Sequence, residues 1–93
     1  MARVVVRVEL HGATTEQQFE RLHTQMASAG FGRTILAGDG SRCWLPTATY
    51  YSEKFASETI ARDAAWTAAA GIVSSYAVIA TCGPSAWKGL KPA

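Results

Sequence analysis

Charge is scarce in this chain. Only 17% of its 93 residues are Asp, Glu, Lys or Arg, while 48% are hydrophobic. That balance excludes disorder. A body this small hides about two-thirds of the surface its unfolded chain exposes, so few charges imply leftover apolar surface, which favours association. Cysteine is nearly absent as well. Cys43 and Cys82 show neither CxxC spacing nor a His-rich neighbourhood, which excludes a disulfide scaffold and a structural zinc site. Both read as reduced core or sheet residues. Long apolar runs are missing: the opening MARVVVRVEL is interrupted by Arg7 and Glu9 and lacks a small-residue cleavage site. It reads as neither a signal peptide nor a membrane span, and with free thiols the expected location is the cytoplasm, without a membrane partner. No Walker loop, GxSxG, HExxH or paired metal-ligand spacing occurs, so neither metal nor cofactor is expected. The net charge of +2, nine basic against seven acidic residues, does not by itself mark a nucleic-acid binder.

What is present patterns clearly. Residues Arg3 to His11 alternate, with Val4, Val6, Val8 and Leu10 on one face and Arg3, Val5, Arg7, Glu9 and His11 on the other. This period of two predicts a strand with one dry face and one charged face. Gly12 ends it. Thr14 and Thr15 then offer helix caps, each with a glutamine three residues on. Phe19, Leu22, Met26 and Ala29 follow at helical spacing before Gly30, predicting a helix over 15–29. Residues 31–37 read as a second strand, Asp39-Gly40 as a hairpin turn and 41–51 as a third strand. Pro46 cannot donate to a ladder, so a bulge or an early strand end is expected there. Ser57 caps a second helix running to about Ala70, with an alanine-rich stripe stopped by Gly71. Tyr76 to Thr81 is the fourth strand, and Gly83-Pro84 releases a tail, SAWKGLKPA.

The length allows one domain, 1–93, with 84–93 as a C-terminal tail. Two crossover helices around a central hairpin give the order β-α-β-β-α-β. That predicts an α+β, ferredoxin-like sandwich: a four-stranded antiparallel sheet in the order 4-1-3-2, with both helices on one face.

Candidate chemistry gathers on the open face of the first strand. Arg3 and Arg7 project from it, and Arg33 is expected on a neighbouring strand. The planar guanidinium fork suits phosphate oxygens, and Tyr50, Tyr51 or Trp44 on the same surface would stack bases. The competing reading makes these residues solvated, paired across strands, or covered by a sheet-on-sheet dimer. His11 and His23 are the only histidines. His11, just past a strand end, borders a cleft position and needs a carboxylate such as Glu9 or Asp39 within hydrogen-bond reach to work as an acid or base. His23 sits at the margin of the helix stripe, where a hydrogen-bonded structural role competes with a catalytic one. Trp87 in the tail is either a docking anchor for a protein partner or a plug that folds back on its own domain.

The segments VRVELHGAT, LHTQMASAGFGRTI, DGSRCWLPTATY and WKGL resemble the GhoS family of small bacterial proteins, over residues 3–90. The resemblance implies a ferredoxin-like fold, similar to that of the small CRISPR-associated nucleases of the adaptation complex. It also implies an antitoxin of a type V toxin–antitoxin system that cleaves its toxin's mRNA. Those nucleases carry a metal-holding aspartate at the end of strand one, where this chain has Glu9, Leu10 and His11. His23 falls where the antitoxin prototype has a functional arginine. The expectation is therefore an RNA-interacting protein working as a metal-independent endoribonuclease, with His11 and His23 catalytic and Arg3, Arg7, Arg33 and Tyr50 on the RNA. The alternative is a non-catalytic interaction module, a homodimer formed through the open sheet face or an edge strand.

Overall fold

The computed structural model describes residues 2–12 and 14–93. It is an α+β structure in the order β1 (Val4–Leu10), α1 (Glu16–Ser28), β2 (Thr34–Leu36), β3 (Arg42–Trp44), β4 (Thr49–Ser52), α2 (Glu58–Ala69) and β5 (Tyr76–Cys82).

The alternation in β1 sets the core. Val4, Val6 and Val8 are fully buried, while Arg7 and Glu9 are exposed. Leu22 and Met26 of α1 and Ala61, Ala65 and Ala69 of α2 join these valines in one cluster, so both helices lie on the same face of β1. Each large side chain buried there contributes about 1.5–3 kcal/mol. The start of α1 is fixed by a reciprocal cap: Thr15 Oγ1 accepts the Gln18 N–H at 3.2 Å, and Gln18 Oε1 accepts the Thr15 N–H at 2.8 Å, satisfying two otherwise orphaned donors. Ser57 caps α2 through the Ile60 N–H at 3.2 Å. Alanines at every fourth position let α2 lie close to β1 and β5. Ile60 and Trp66 project outward instead, about half exposed.

The sheet departs from the expected four strands. β1 pairs antiparallel with β4 on one side and β5 on the other, Val6 lying between Tyr50 and Ala80. Just before β2, Gly32 meets Tyr51 of β4, the two exchanging backbone bonds of 2.8 and 2.9 Å. The chain then leaves the sheet, and β2 pairs with β3 in a separate two-stranded sheet. The cause lies in Leu45–Ala48. The segment expected as one strand over 41–51 is cut there: Pro46 has no N–H, its carbonyl accepts the Thr49 N–H at 3.0 Å, and Ala48 takes a left-handed φ of 64°. The early strand end expected at Pro46 is present, and it detaches the hairpin.

The tail is not free. The Trp44 N–H donates to the Lys91 carbonyl and the Ala93 N–H to the Arg42 carbonyl, each at 2.9 Å, so the last residues add to the outer edge of β3. Between hairpin, tail and sheet lies an apolar cavity of about 340 Å³ lined by Val5, Ile35, Leu45, Pro46, Thr81 and Trp87. Of the two readings of Trp87, the fold-back is the one seen: the residue lines this cavity on its own domain while staying about a third exposed. No helix among the described residues is long and apolar enough to cross a membrane.

Candidate functional site

The face of β1 turned away from the helices carries Val5, Arg7 and Glu9. Pairing puts Val5 between Tyr51 and Thr81, Arg7 between Thr49 and Ile79, and Glu9 beside Ala77. Hairpin and tail cover this face at Val5, which is half-buried, but leave Arg7 and Glu9 exposed. Beyond Leu10 the ladder continues for one rung, the His11 N–H donating to the Ser75 carbonyl at 3.0 Å. That rung keeps the His11 side chain on the same face as Glu9.

Three side chains meet there. His11 Nε2 lies 2.8 Å from Glu9 Oε1, and His11 Nδ1 lies 2.9 Å from Ser75 Oγ. A carboxylate only accepts hydrogen bonds, so neutral His11 carries its proton on Nε2 and donates it to Glu9. Nδ1 is left as the acceptor, facing the Ser75 hydroxyl. The result is a hydroxyl, an imidazole lone pair and an orienting carboxylate in line, the arrangement that activates a hydroxyl for attack. With the His11 side chain 42% exposed and that of Glu9 65%, the pair contributes little to stability even when His11 is protonated. Its significance is positional. Arg7 stands two residues from Glu9 on the same face, about 7 Å along the strand. The expectation for Glu9 is met. Asp39 instead holds Ser41 in the hairpin turn, at 2.9 Å from its N–H and 2.6 Å from its hydroxyl, and these bonds lower its pKa.

The other expected residues lie elsewhere. Tyr50 is not on the open face: it sits opposite Val6 and is fully buried, so stacking a base on it is ruled out. Its hydroxyl meets His23 Nδ1 at 2.6 Å, with the rings edge to face. His23 is therefore on the helix side of the sheet and does not join His11. Burial, followed by the nearby Arg33 charge, lowers the His23 pKa, and Glu20 partly opposes them. Burial raises the Tyr50 pKa. The phenol thus stays protonated as donor, and neutral His23 keeps its proton on Nε2. Arg33 lines a cleft of about 500 Å³ with His23, Glu16, Glu20 and Thr47, and its guanidinium lies over Trp44 at 5.4 Å. It is not beside Arg7. Arg3 shares the Arg7 face but lies beyond Val5, lining a groove with Tyr51, Leu36 and Trp87. Of the RNA-contact set, only Arg3 and Arg7 share one face. Ser75 was not signalled in the sequence, since nothing about a serine before a strand marks it out. Among the described residues no cluster of three or more His, Cys, Asp or Glu suits a metal ion.

No family model, no curated protein and no solved structure matches this chain. The case for function therefore rests on the geometry of Arg7, Glu9, His11 and Ser75, together with the sequence resemblance.

Proposed function

We propose that the chain is a small cytoplasmic RNA-interacting protein that cleaves RNA without a metal, an antitoxin of the kind its resemblance to the GhoS family implies. The observation that carries this reading is the hydrogen-bonded line Glu9–His11–Ser75 beside Arg7 on an exposed sheet face. The fold fits the same reading as a ferredoxin-like sandwich whose second strand keeps only its first rung, Gly32–Tyr51, before being drawn into the hairpin.

In the proposed reaction a ribose 2′-hydroxyl replaces the Ser75 hydroxyl at His11 Nδ1 and gives up its proton there. The 2′-oxygen bonds to the adjacent phosphorus, the bond from phosphorus to the 5′-oxygen breaks, and the products are a 2′,3′-cyclic phosphate and a 5′-hydroxyl. The proton taken by His11 passes to the leaving 5′-oxygen through water. Glu9 holds the ring and stabilises the imidazolium. Arg7, about 14 Å along the strand from His11, holds a neighbouring phosphate of the bound strand, and Arg3 holds one further along. His23 and Tyr50 take no part, and Arg33 binds RNA only if the strand wraps toward α1.

The test is incubation of purified protein with end-labelled RNA, with and without EDTA. Cleavage is expected in both, with 2′,3′-cyclic phosphate ends. His11→Ala is expected to lose about 100-fold or more in rate, whereas Ser75→Ala retains activity because Nδ1 is then open to the 2′-hydroxyl. Intact RNA in both tubes, or a His11→Ala protein as fast as the wild type, removes the enzyme reading.

A further inference from the structure

The two sheet edges are treated differently. The outer edge of β3 is closed by the chain's own tail at Lys91 to Ala93. β5, at seven residues, pairs with β1 alone among the described residues. Its backbone directions follow from two flanking hydrogen bonds: the His11 N–H donates to the Ser75 carbonyl and the Gly83 N–H to the Arg3 carbonyl. In an antiparallel pair, hydrogen-bonded residues alternate with non-bonded ones. The odd-numbered residues of β5 therefore face β1, and Tyr76, Val78, Ala80 and Cys82 send their N–H and C=O groups outward.

Edges of this length are normally blunted by lysine, proline or a bulge. Here YAVIATC contains no charge and no proline, and its register with β1 runs unbroken from Tyr76 to Cys82. Both sides of the edge are apolar. Ile79, at 64% exposure, stands on the open face. On the helix side Val78 borders Trp66, which is half exposed and stacks on Tyr76 with ring centroids 4.3 Å apart. On that side the neighbouring charges, Arg62 and Asp63, already pair with each other at 2.9 Å; on the open face Arg7 and Glu9 stand one strand further in, opposite Ile79 and Ala77.

We infer that β5 pairs antiparallel with β5 of a second copy, about a twofold axis through Ile79, so that two three-stranded sheets become one of six. The occupant is specified by the register. With Ile79 opposite Ile79, Tyr76 pairs with Cys82 and Val78 with Ala80 in both directions. These are the outward-facing residues, so all four N–H and all four C=O groups of each edge find partners. Moving the axis by one residue leaves a pair at the end unmatched. Ile79 falls at the non-hydrogen-bonded position, where facing Cα atoms approach to about 4.5 Å and side chains touch most closely. Opposing strands without charge meet no repulsion, as a self-complementary interface requires. This inference stands apart from the RNA reading.

The experiment is light scattering and sedimentation on the full chain over a concentration series, with two variants. A dimer is expected for the wild type. Ile79→Lys sets like charges face to face and is expected to weaken dimerisation by about tenfold or more; its far-ultraviolet dichroism reports that the fold is kept. In a background of Cys43→Ser and Cys82→Ser, Ile79→Cys is expected to form an intermolecular disulfide on mild oxidation, since the spacing lies within disulfide range. Ala77→Cys, which faces Thr81 of the second copy, is not. A wild type that stays monomeric at its highest soluble concentration overturns the inference. So does a dimer that survives Ile79→Lys, or one that crosslinks equally through position 77.

Discussion

Replacing Tyr50 with Phe isolates a single hydroxyl. The ring of Tyr50 is fully buried between β1 and the helices, and its substitute keeps that packing. What goes is the 2.6 Å bond to His23 Nδ1. A bond of this kind contributes about 0.5–1.5 kcal/mol net. His23 is only part-buried, so water recovers some of the loss at Nδ1, and we expect a cost of about 1 kcal/mol. At a urea dependence of about 1 kcal/mol per molar for so short a chain, the midpoint should fall by about 1 M with unchanged slope. The thermal midpoint should fall by about 4–8 °C. The assay is urea denaturation above pH 7, where His23 is neutral, run on wild type, Tyr50→Phe, His23→Ala and the double variant. The cycle should give a coupling energy of about 0.5–1.5 kcal/mol. A Tyr50→Phe midpoint equal to wild type, or strictly additive losses, would refute the reasoning that His23 is a structural partner of Tyr50 rather than an independent surface group.

Two further outcomes are expected of His23 and Trp87. The His23 pKa lies below its ordinary 6.5 in the folded chain, so the unfolded chain binds this proton first as pH falls. Stability should decline from about pH 6.5 downward and level off once the folded His23 titrates. His23→Gln should show a shallower decline over that window, and equal slopes in urea titrations of both proteins would contradict the direction of the shift. Trp87→Ala should cost about 2 kcal/mol, below the range for a fully buried aromatic because the residue is about a third exposed. It should also speed amide exchange at Trp44, whose N–H is held by the Lys91 carbonyl; unchanged exchange there would mean the tail is seated by something other than its tryptophan.

Local patterning carried most of the architecture. Val4, Val6 and Val8 were legible as the dry face of a strand because a strand's two faces differ by one residue. The Thr15–Gln18 cap and the alanine stripe of α2 were legible because helix ends and helix faces are local properties. The faces of β4 were not. Tyr50 and Tyr51 are adjacent and equally suited to a strand. Which one enters the core depends on the register that puts Val6 opposite Tyr50, a contact between residues far apart in the chain. Pro46 warned of a break without saying that Ala48 would turn left-handed and that the hairpin would leave the sheet. For the candidate site, Glu9 and His11 were readable as neighbours on one strand face. Ser75 was not, because it reaches His11 through the β1–β5 pairing, and neither was the separation of His11 from His23 by the sheet itself.

The position of β1 has a bearing on how the molecule is made. The strand at the middle of the sheet is the earliest of the seven elements to leave the ribosome, while the strands that flank it lie at 49–52 and 76–82. Until both have emerged, a run of valines waits in the nascent chain with no neighbour on either side. Pairing across such long separations closes large loops and is slow to begin. Synthesis of β5 is therefore the step that releases the chain from dependence on whatever shields those valines, and a pause upstream of residue 76 would prolong it.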